Sequence, residues 1–192
     1  MELVFATHNQ HKVEEIKGLL PPAIRLLSLN DIGCKEEIPE TADTLEGNAT
    51  LKAAYVLKNY GVSCFADDTG LEVSALNGAP GVYSARYAGE PKDDTKNLQK
   101  LLQNMQSRED RRAQFTTIIA LATEKELKHF KGVVEGIITL TPRGNNGFGY
   151  DPIFQPDGYT ETFAELPLSI KNKISHRARA FEQLMAHFKQ VS

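Results

Sequence analysis

From Leu3 to Ala66, short apolar runs alternate with segments of helical period, and this alternation constrains the fold more than any other feature of the chain. Leu3-Val4-Phe5-Ala6 reads as a buried strand. From Gln10 to Leu20 the apolar residues Val13, Ile16, Leu19 and Leu20 recur at helical spacing, and Pro21-Pro22 end the pattern. Ile24–Leu29 is a second strand. A polar, acidic connection follows, Asn30–Ala42, which contains Glu36, Glu37 and Glu40. Asp43 or Thr44 then caps a helix that runs to Tyr60 and stops at Gly61, with Asp43 and Glu46 at capping-box spacing. Val62–Ala66 and Leu71–Leu76 are predicted strands with Asp67–Gly70 as the turn between them.

Beyond Gly78, Pro80 and Gly81, which punctuate a loop, Asp93–Met105 is an amphipathic helix around Leu98, Leu101 and Leu102. Gln114–Thr123 and Lys128–Thr141 read as two longer strands joined by a polar turn at Glu124-Lys125-Glu126. Arg143–Pro156 is rich in Gly, Asn and Pro and reads as an ordered loop. Ser175 caps a last helix carrying Ala178, Phe181, Leu184, Met185 and Phe188 at its apolar positions. There is no internal repeat, low-complexity tract or linker. The order predicts one domain over residues 1–192, of α/β class, with a helix-flanked first half and a hairpin-rich middle.

The 192 residues suffice for a sizeable core. A formal net charge of −3 argues against nucleic acid as a partner, because such proteins usually carry a basic excess. It still allows a local basic pocket for a small phosphorylated ligand. Two cysteines, Cys34 and Cys64, without CxxC spacing fit a reduced, cytoplasmic setting. No signal-peptide pattern opens the chain, and no apolar run approaches the roughly 18 residues that span a bilayer, so no membrane partner is expected.

Several stretches combine residue types that carry chemistry. Thr7-His8-Asn9-Gln10-His11-Lys12 lies between a strand and a helix, where free N–H groups and the positive end of the helix dipole favour phosphate. The glycines of a Walker loop are missing, and a simple helix cap with a solvated lysine is the alternative. Glu40, Asp67 and Asp68 are an acidic set of the kind that binds Mg²⁺, a cation that prefers hard oxygen ligands. Adjacent side chains on a strand point to opposite faces, so parity leaves open which of the two aspartates faces a given site. Asp68-Thr69-Gly70 is also the triplet of aspartic proteases. Asp67 stands where that loop is apolar, however, and the surrounding chain is α/β rather than all-β.

Arg143–Phe154, RGNNGFGYDPIF, sets Phe148 and Tyr150 among glycines, where a ring could stack on a base or plug a core. Asp151 could accept from a base edge. Lys171–Arg177, KNKISHR, places His176 and Arg177 in the first turn of a helix, where cations oppose the dipole by about 0.3–1 kcal/mol each. An anionic or acceptor-rich ligand would account for them, as would an exposed polar cap. Gly78–Gly89, GAPGVYSARYAG, is a Gly/Pro-framed turn that delivers Tyr83, Arg86 and Tyr87 to one region.

Taken in order, ATHNxxK, ADDTGL, GAPGVYSARYAG, FGYDPIF and SHR resemble the inosine/xanthosine triphosphate pyrophosphatase family over Leu3–Phe188. The resemblance implies an elongated mixed central sheet flanked by helices, two lobes with a substrate cleft between them, and a homodimer. It implies Mg²⁺-dependent hydrolysis of ITP, dITP and XTP, small-molecule purine nucleoside triphosphates, to the monophosphate and pyrophosphate. By position, Thr7, His8, Asn9, Gln10, His11 and Lys12 would hold the phosphates. Glu40 and Asp68 would hold metal, and Asp68 would also be the general base. Thr69 would touch substrate, while Phe148, Gly149, Tyr150 and Asp151 would cradle the base with Lys171, His176 and Arg177. Two positions depart from the family: His8 replaces a common glycine, and Gly47 interrupts the usual E-N-A run, which leaves Glu46 without an assigned role. A non-hydrolysing nucleotide-binding regulator and a phosphatase releasing orthophosphate are the competing readings.

Overall fold

The structure, a computed structural model, describes residues 2–191. Its strands are ordered β2-β1-β3-β5-β6-β7, with β4 paired to β3: β1 Glu2–Phe5, β2 Arg25–Ser28, β3 Cys64–Val73, β4 Pro80–Gly81, β5 Arg112–Ala122, β6 Leu127–Ile138 and β7 Phe154–Pro156. The helices are α1 Gln10–Lys17, α2 Leu45–Tyr60, α3 Asp94–Asn104, α4 Leu168–Ile174 and α5 His176–Val191. This is the α/β class with a mixed sheet. The chain forms two compact units, neither of them contiguous: one from the chain up to Asp68, Thr117–Gly132 and the chain from Arg177 onward, the other from Thr69–Thr116 and Val133–His176.

In the first unit β1 runs parallel to both β2 and the start of β3, the pairing that two strand–helix–strand connections through α1 and α2 require. Side chains alternate across these strands. Leu3, Phe5, Phe65, Ile119 and Leu121 pack with Val13 and Ile16 of α1 and with Ala180, Phe181 and Leu184 of α5. Val4, Ala6, Cys64, Ala66, Ile118 and Ala120 turn the other way, onto Ala49, Ala53 and Val56 of α2. Phe5 and Phe65, partners in the register, stack with ring centroids 4.4 Å apart. Each such buried ring stabilises the unit by about 1.5–3 kcal/mol. Thr44 caps α2 by accepting from the Gly47 N–H, and Gly61 ends it in the left-handed conformation (φ 66°) that glycine adopts without strain.

The second unit has its own core: Leu71 and Val73 of β3, Leu98, Leu101 and Met105 around α3, Phe115 of β5, Val134 and Ile138 of β6, and Ile153, Phe154 and Phe163. β4 and β7 are short antiparallel additions, pairing Leu71 with Gly81 and Ile138 with Phe154. Asp93 caps α3 by accepting from the Lys96 N–H.

The largest departure from the sequence reading is at Asp67–Gly70, which is no turn. β3 runs unbroken through ADDTG to Val73. Turn-forming residue types continue as strand because each carboxylate meets a cation, Asp67 with Lys12 and Asp68 with Lys52, which offsets part of the cost of burying them. The expected strand Leu71–Leu76 ends at Val73, and Ser74–Leu76 is a 3-10 turn. Arg143–Pro156, read as loop, contains the 3-10 turn Asp151–Ile153 and β7. α1 stops at Lys17, with Gly18 as its C-cap, before Pro21-Pro22 are reached. Helix α4 escaped the sequence reading, and Ser175 closes it immediately before α5 begins at His176.

Candidate active site

Strand alternation decides what parity alone left open. Asp67 follows Phe65 onto the α1 and α5 side of β3, and its side chain is fully buried. Lys12 Nζ donates to Asp67 Oδ1 at 2.7 Å, and Arg177 Nε donates to Asp67 Oδ2 at 2.9 Å. Arg177 Nη1 also bonds Glu15 Oε2. Lys12 and Glu15 are three residues apart on α1 and so share a face. These four groups, two carboxylates and two cations, balance to zero formal charge. Burial alone would push the Asp67 carboxyl up, but Lys12, Arg177 and Lys52 outweigh it and hold the group far below the usual carboxylate range. Burial lowers the Lys12 ammonium, with Asp67 opposing. Arg177 rises against its burial because Glu15 and Asp67 favour the cation.

Asp68 follows Cys64 and Ala66 to the α2 side. Asn48 Nδ2 donates to Asp68 Oδ2 at 3.2 Å, and Lys52 Nζ lies 3.7 Å from Asp68 Oδ1. The same ammonium bonds Glu40 Oε1. Here the balance is different: Asp68 and Glu40 face one lysine, leaving one net negative charge. Burial raises the Asp68 carboxyl above its ordinary value, Lys52 and Lys12 only partly offset this, and Glu40 and Asp67 add to it. Lys52 is raised: Asp68 and Glu40 more than offset the lowering by its burial. Among the described residues no group of three His, Cys, Asp or Glu side chains forms a ready-made metal cage. A two-carboxylate site with surplus negative charge nevertheless fits Mg²⁺, which typically takes one or two carboxylates and fills its other positions with water and phosphate oxygens.

Residues 7–12, expected to hold phosphate, share this unit. Asn9 caps α1, its Oδ1 accepting from the Lys12 N–H at 3.3 Å, while the Asn9 N–H donates to Thr7 Oγ1 at 3.1 Å. Gln10 and His11 are exposed on the first turn. His8 Nε2 lies 3.1 Å from the Glu36 carbonyl oxygen. The Glu36 carboxylate in turn accepts from Tyr60 Oη at 2.7 Å and Tyr55 Oη at 2.9 Å, and these bonds, with its own backbone N–H, hold it down at about 2. The residue that replaces glycine therefore ties the loop to the acidic connection that carries Glu40.

Phe148–Asp151, Lys171 and His176, expected around the base, lie in the second unit. Lys171 Nζ donates to Asp151 Oδ2 at 2.6 Å, both side chains being buried, and the same oxygen accepts from the Phe148 N–H at 2.9 Å. Lys171 Nζ also stands 5.2 Å from the Phe148 ring centroid and 5.4 Å from that of Phe163, in cation–π range. Gly147 (φ 75°) leaves no room for a side chain, since an added Cβ would sit 2.0 Å from Asp151 Oδ2. Tyr150 Oη donates to the Ser84 carbonyl at 2.8 Å. His176 stacks on Phe115, with centroids 4.6 Å apart and planes 18° from parallel. Thr69, half-buried, follows Asp68 in β3. The structure thus brings Lys12, Asp67 and Arg177 together, Glu40 and Asp68 together, and Phe148, Asp151 and Lys171 together. Arg177, grouped with the base readers in the sequence reading, is held by Asp67 and Glu15.

Glu15, Asn48 and Lys52 have no site role in the sequence analysis, although for two of them the sequence holds a signal. Asn48 and Lys52 fall on the same stripe of α2 as Ala49, Ala53 and Val56, where a polar or charged residue needs a buried partner. Gly47 also acquires a reason: a Cβ there would lie 2.5 Å from the Ala42 Cβ.

The Ham1 family model matches residues 3–187 of the chain. A dITP/XTP pyrophosphatase of Flavobacterium johnsoniae is 58% identical over 185 residues, 96% of each chain. The protein of the same name from Porphyromonas gingivalis is 54% identical over 95% of each. Among solved structures, the Staphylococcus aureus Ham1 protein superimposes with a TM-score of 0.90 at 41% identity, covering 100% of both chains. A HAM1 protein from Coxiella burnetii gives 0.89 at 40% identity, covering 99% of both.

Proposed function

The chain belongs to the Ham1 family, and from that premise we propose that it hydrolyses non-standard purine nucleoside triphosphates, ITP, dITP and XTP, to the monophosphate and pyrophosphate. The observation that carries the mechanism is the separation of Asp67 and Asp68 onto opposite faces of one strand. Asp67 belongs to a charge-neutral lattice that fixes Lys12, and Asp68 belongs to a site with surplus negative charge. Glu40 and Asp68 would hold Mg²⁺, which when bound neutralises phosphate charge and acidifies a water.

Asp68 accepts the proton of the water that attacks the α-phosphorus, and pyrophosphate leaves. Asn48 holds the orientation of that carboxylate through its amide N–H. Lys52 keeps Glu40 and Asp68 together when they would otherwise repel. The Lys12 ammonium has three donors. One is spent on Asp67; the others, with the free N–H groups at the start of α1, would donate to the triphosphate, with Thr7 to His11 supplying further donors. Phe148 offers a stacking face, and the Asp151–Lys171 pair presents an acceptor and a donor of fixed spacing for a 6-oxo purine, with His176 beside them. Arg177 contributes by holding Asp67. Residues 1–192 would act as one domain, in keeping with two compact units neither of which is contiguous in sequence. A homodimer in the cytoplasm completes the reading; among the described residues no helix is long and apolar enough to cross a membrane.

The test is product analysis with dITP, XTP, dATP and dGTP, with and without Mg²⁺. Pyrophosphate with dIMP, dependent on Mg²⁺ and lost on chelation, is the expected result. Orthophosphate release would replace this reading with a phosphatase, and binding without turnover would replace it with a regulator.

A further inference from the structure

The turn Gly78–Gly89 has no part in the chemistry above, yet α3 binds it and the base loop together. Asp94, Asn97, Lys100 and Asn104 are spaced three, three and four residues apart, which places them along one side of α3. Asn97, only 2% exposed, accepts the Ala88 N–H at Oδ1 (2.7 Å) and donates through Nδ2 to the Ala85 carbonyl (2.9 Å). Lys100 Nζ donates to the Tyr87 carbonyl at 2.6 Å, and Asn104 Nδ2 donates to Tyr87 Oη at 2.8 Å. The turn fixed in this way gives its Ser84 carbonyl to Tyr150 Oη. From the start of the same helix, Asp94 Oδ2 accepts the Gly149 N–H at 3.1 Å.

Gly149 lies between Phe148 and Tyr150 with φ 62°, a conformation open to few residues and held here from both sides. Asp151 accepts the Phe148 N–H from within the loop, and Asp94 accepts the next N–H from outside it. We propose that Asp94 is a positioning residue for base selectivity: by latching Gly149 to α3 it sets where the Phe148 ring stands relative to the Asp151–Lys171 pair. The inference rests on the base-loop reading above. Asp94 acts through Gly149, so its loss loosens the base platform and leaves the Asp68 side of the chemistry alone. Binding and discrimination should therefore suffer more than turnover.

The experiment compares Asp94→Ala and Asp94→Asn with the parent, measuring kcat and KM for dITP and dATP by pyrophosphate release, Tm, and hydrogen exchange at the Gly149 amide without substrate. One part-exposed hydrogen bond of this kind, 3.1 Å long, corresponds to about a 3- to 10-fold change. Asp94→Ala should raise KM for dITP about 3- to 10-fold, with kcat within about twofold, and lower the dITP-to-dATP preference by a similar factor. Gly149 exchange should accelerate by at least as much. Asp94→Asn keeps an acceptor and should stay within about twofold of the parent in every readout. An unchanged KM and preference in Asp94→Ala would overturn the proposal. So would equal impairment in Asp94→Asn, or unaltered Gly149 exchange. A parent protein that releases no pyrophosphate from dITP would refute the functional reading instead, while the exchange measurement would still report on the latch.

Discussion

Replacing each of the two adjacent aspartates by asparagine should have opposite consequences. Asp67→Asn leaves Lys12 and Arg177 buried with Glu15 as their remaining carboxylate, and it turns an amide N–H toward groups that are themselves donors. Removing one partner from a buried ion network costs about 3–5 kcal/mol. For a chain of this length that is a fall in Tm of about 6–20 °C. Because the folded pKa of Asp67 is depressed below its ordinary 3.8, its stabilising effect is in full force above the unfolded value. It is lost only as the pH falls through the folded value, so the deficit of the variant should be constant from neutrality down to about pH 5. Asp68 has the reverse sign. Its carboxyl is raised by burial, so the ionised form is a liability to the fold at neutral pH, and Asp68→Asn should leave Tm within about 1 kcal/mol equivalent of the parent or higher. Its activity should nevertheless fall by about 10²-fold or more. Thermal melts at pH 5 and pH 7.5, paired with pyrophosphate-release kinetics, read both effects. Equal destabilisation by the two substitutions would refute the two-sided reading of β3, and so would full activity in Asp68→Asn.

Three further outcomes are expected. Gly147→Ala drives a Cβ into the Asp151 carboxylate at a residue with φ 75°, so steady-state kinetics should show KM for dITP raised with kcat largely kept. His8→Gly removes the bond to the Glu36 carbonyl; loss of one exposed hydrogen bond should weaken substrate binding by about 2- to 10-fold in a calorimetric titration with a non-hydrolysable analogue. Burial pushes the Cys64 thiol up to about 12, so mass spectrometry after iodoacetamide treatment at pH 8 should find it unlabelled in the folded protein and alkylated in urea.

The sequence by itself determined the α/β class, the two strand–helix–strand connections around β1, and the ends of α2 and α3. Apolar period, cap residues and a C-terminal glycine are local signals, and Thr44, Gly61 and Asp93 behave as their chemistry requires. It also marked out Lys12, Glu40, Asp68 and Phe148–Asp151 as chemically distinctive. Tertiary structure decided the rest. Asp67–Gly70 looks like a turn because charge and glycine usually leave a strand, and only the partners brought in by α1, α2 and α5 keep it extended. Those partners lie up to 110 residues away along the chain, so no local pattern names them. Likewise, the alternation of a strand says that Asp67 and Asp68 face opposite ways. Only the helices packed on each side determine that one face is electrically balanced and the other carries surplus negative charge.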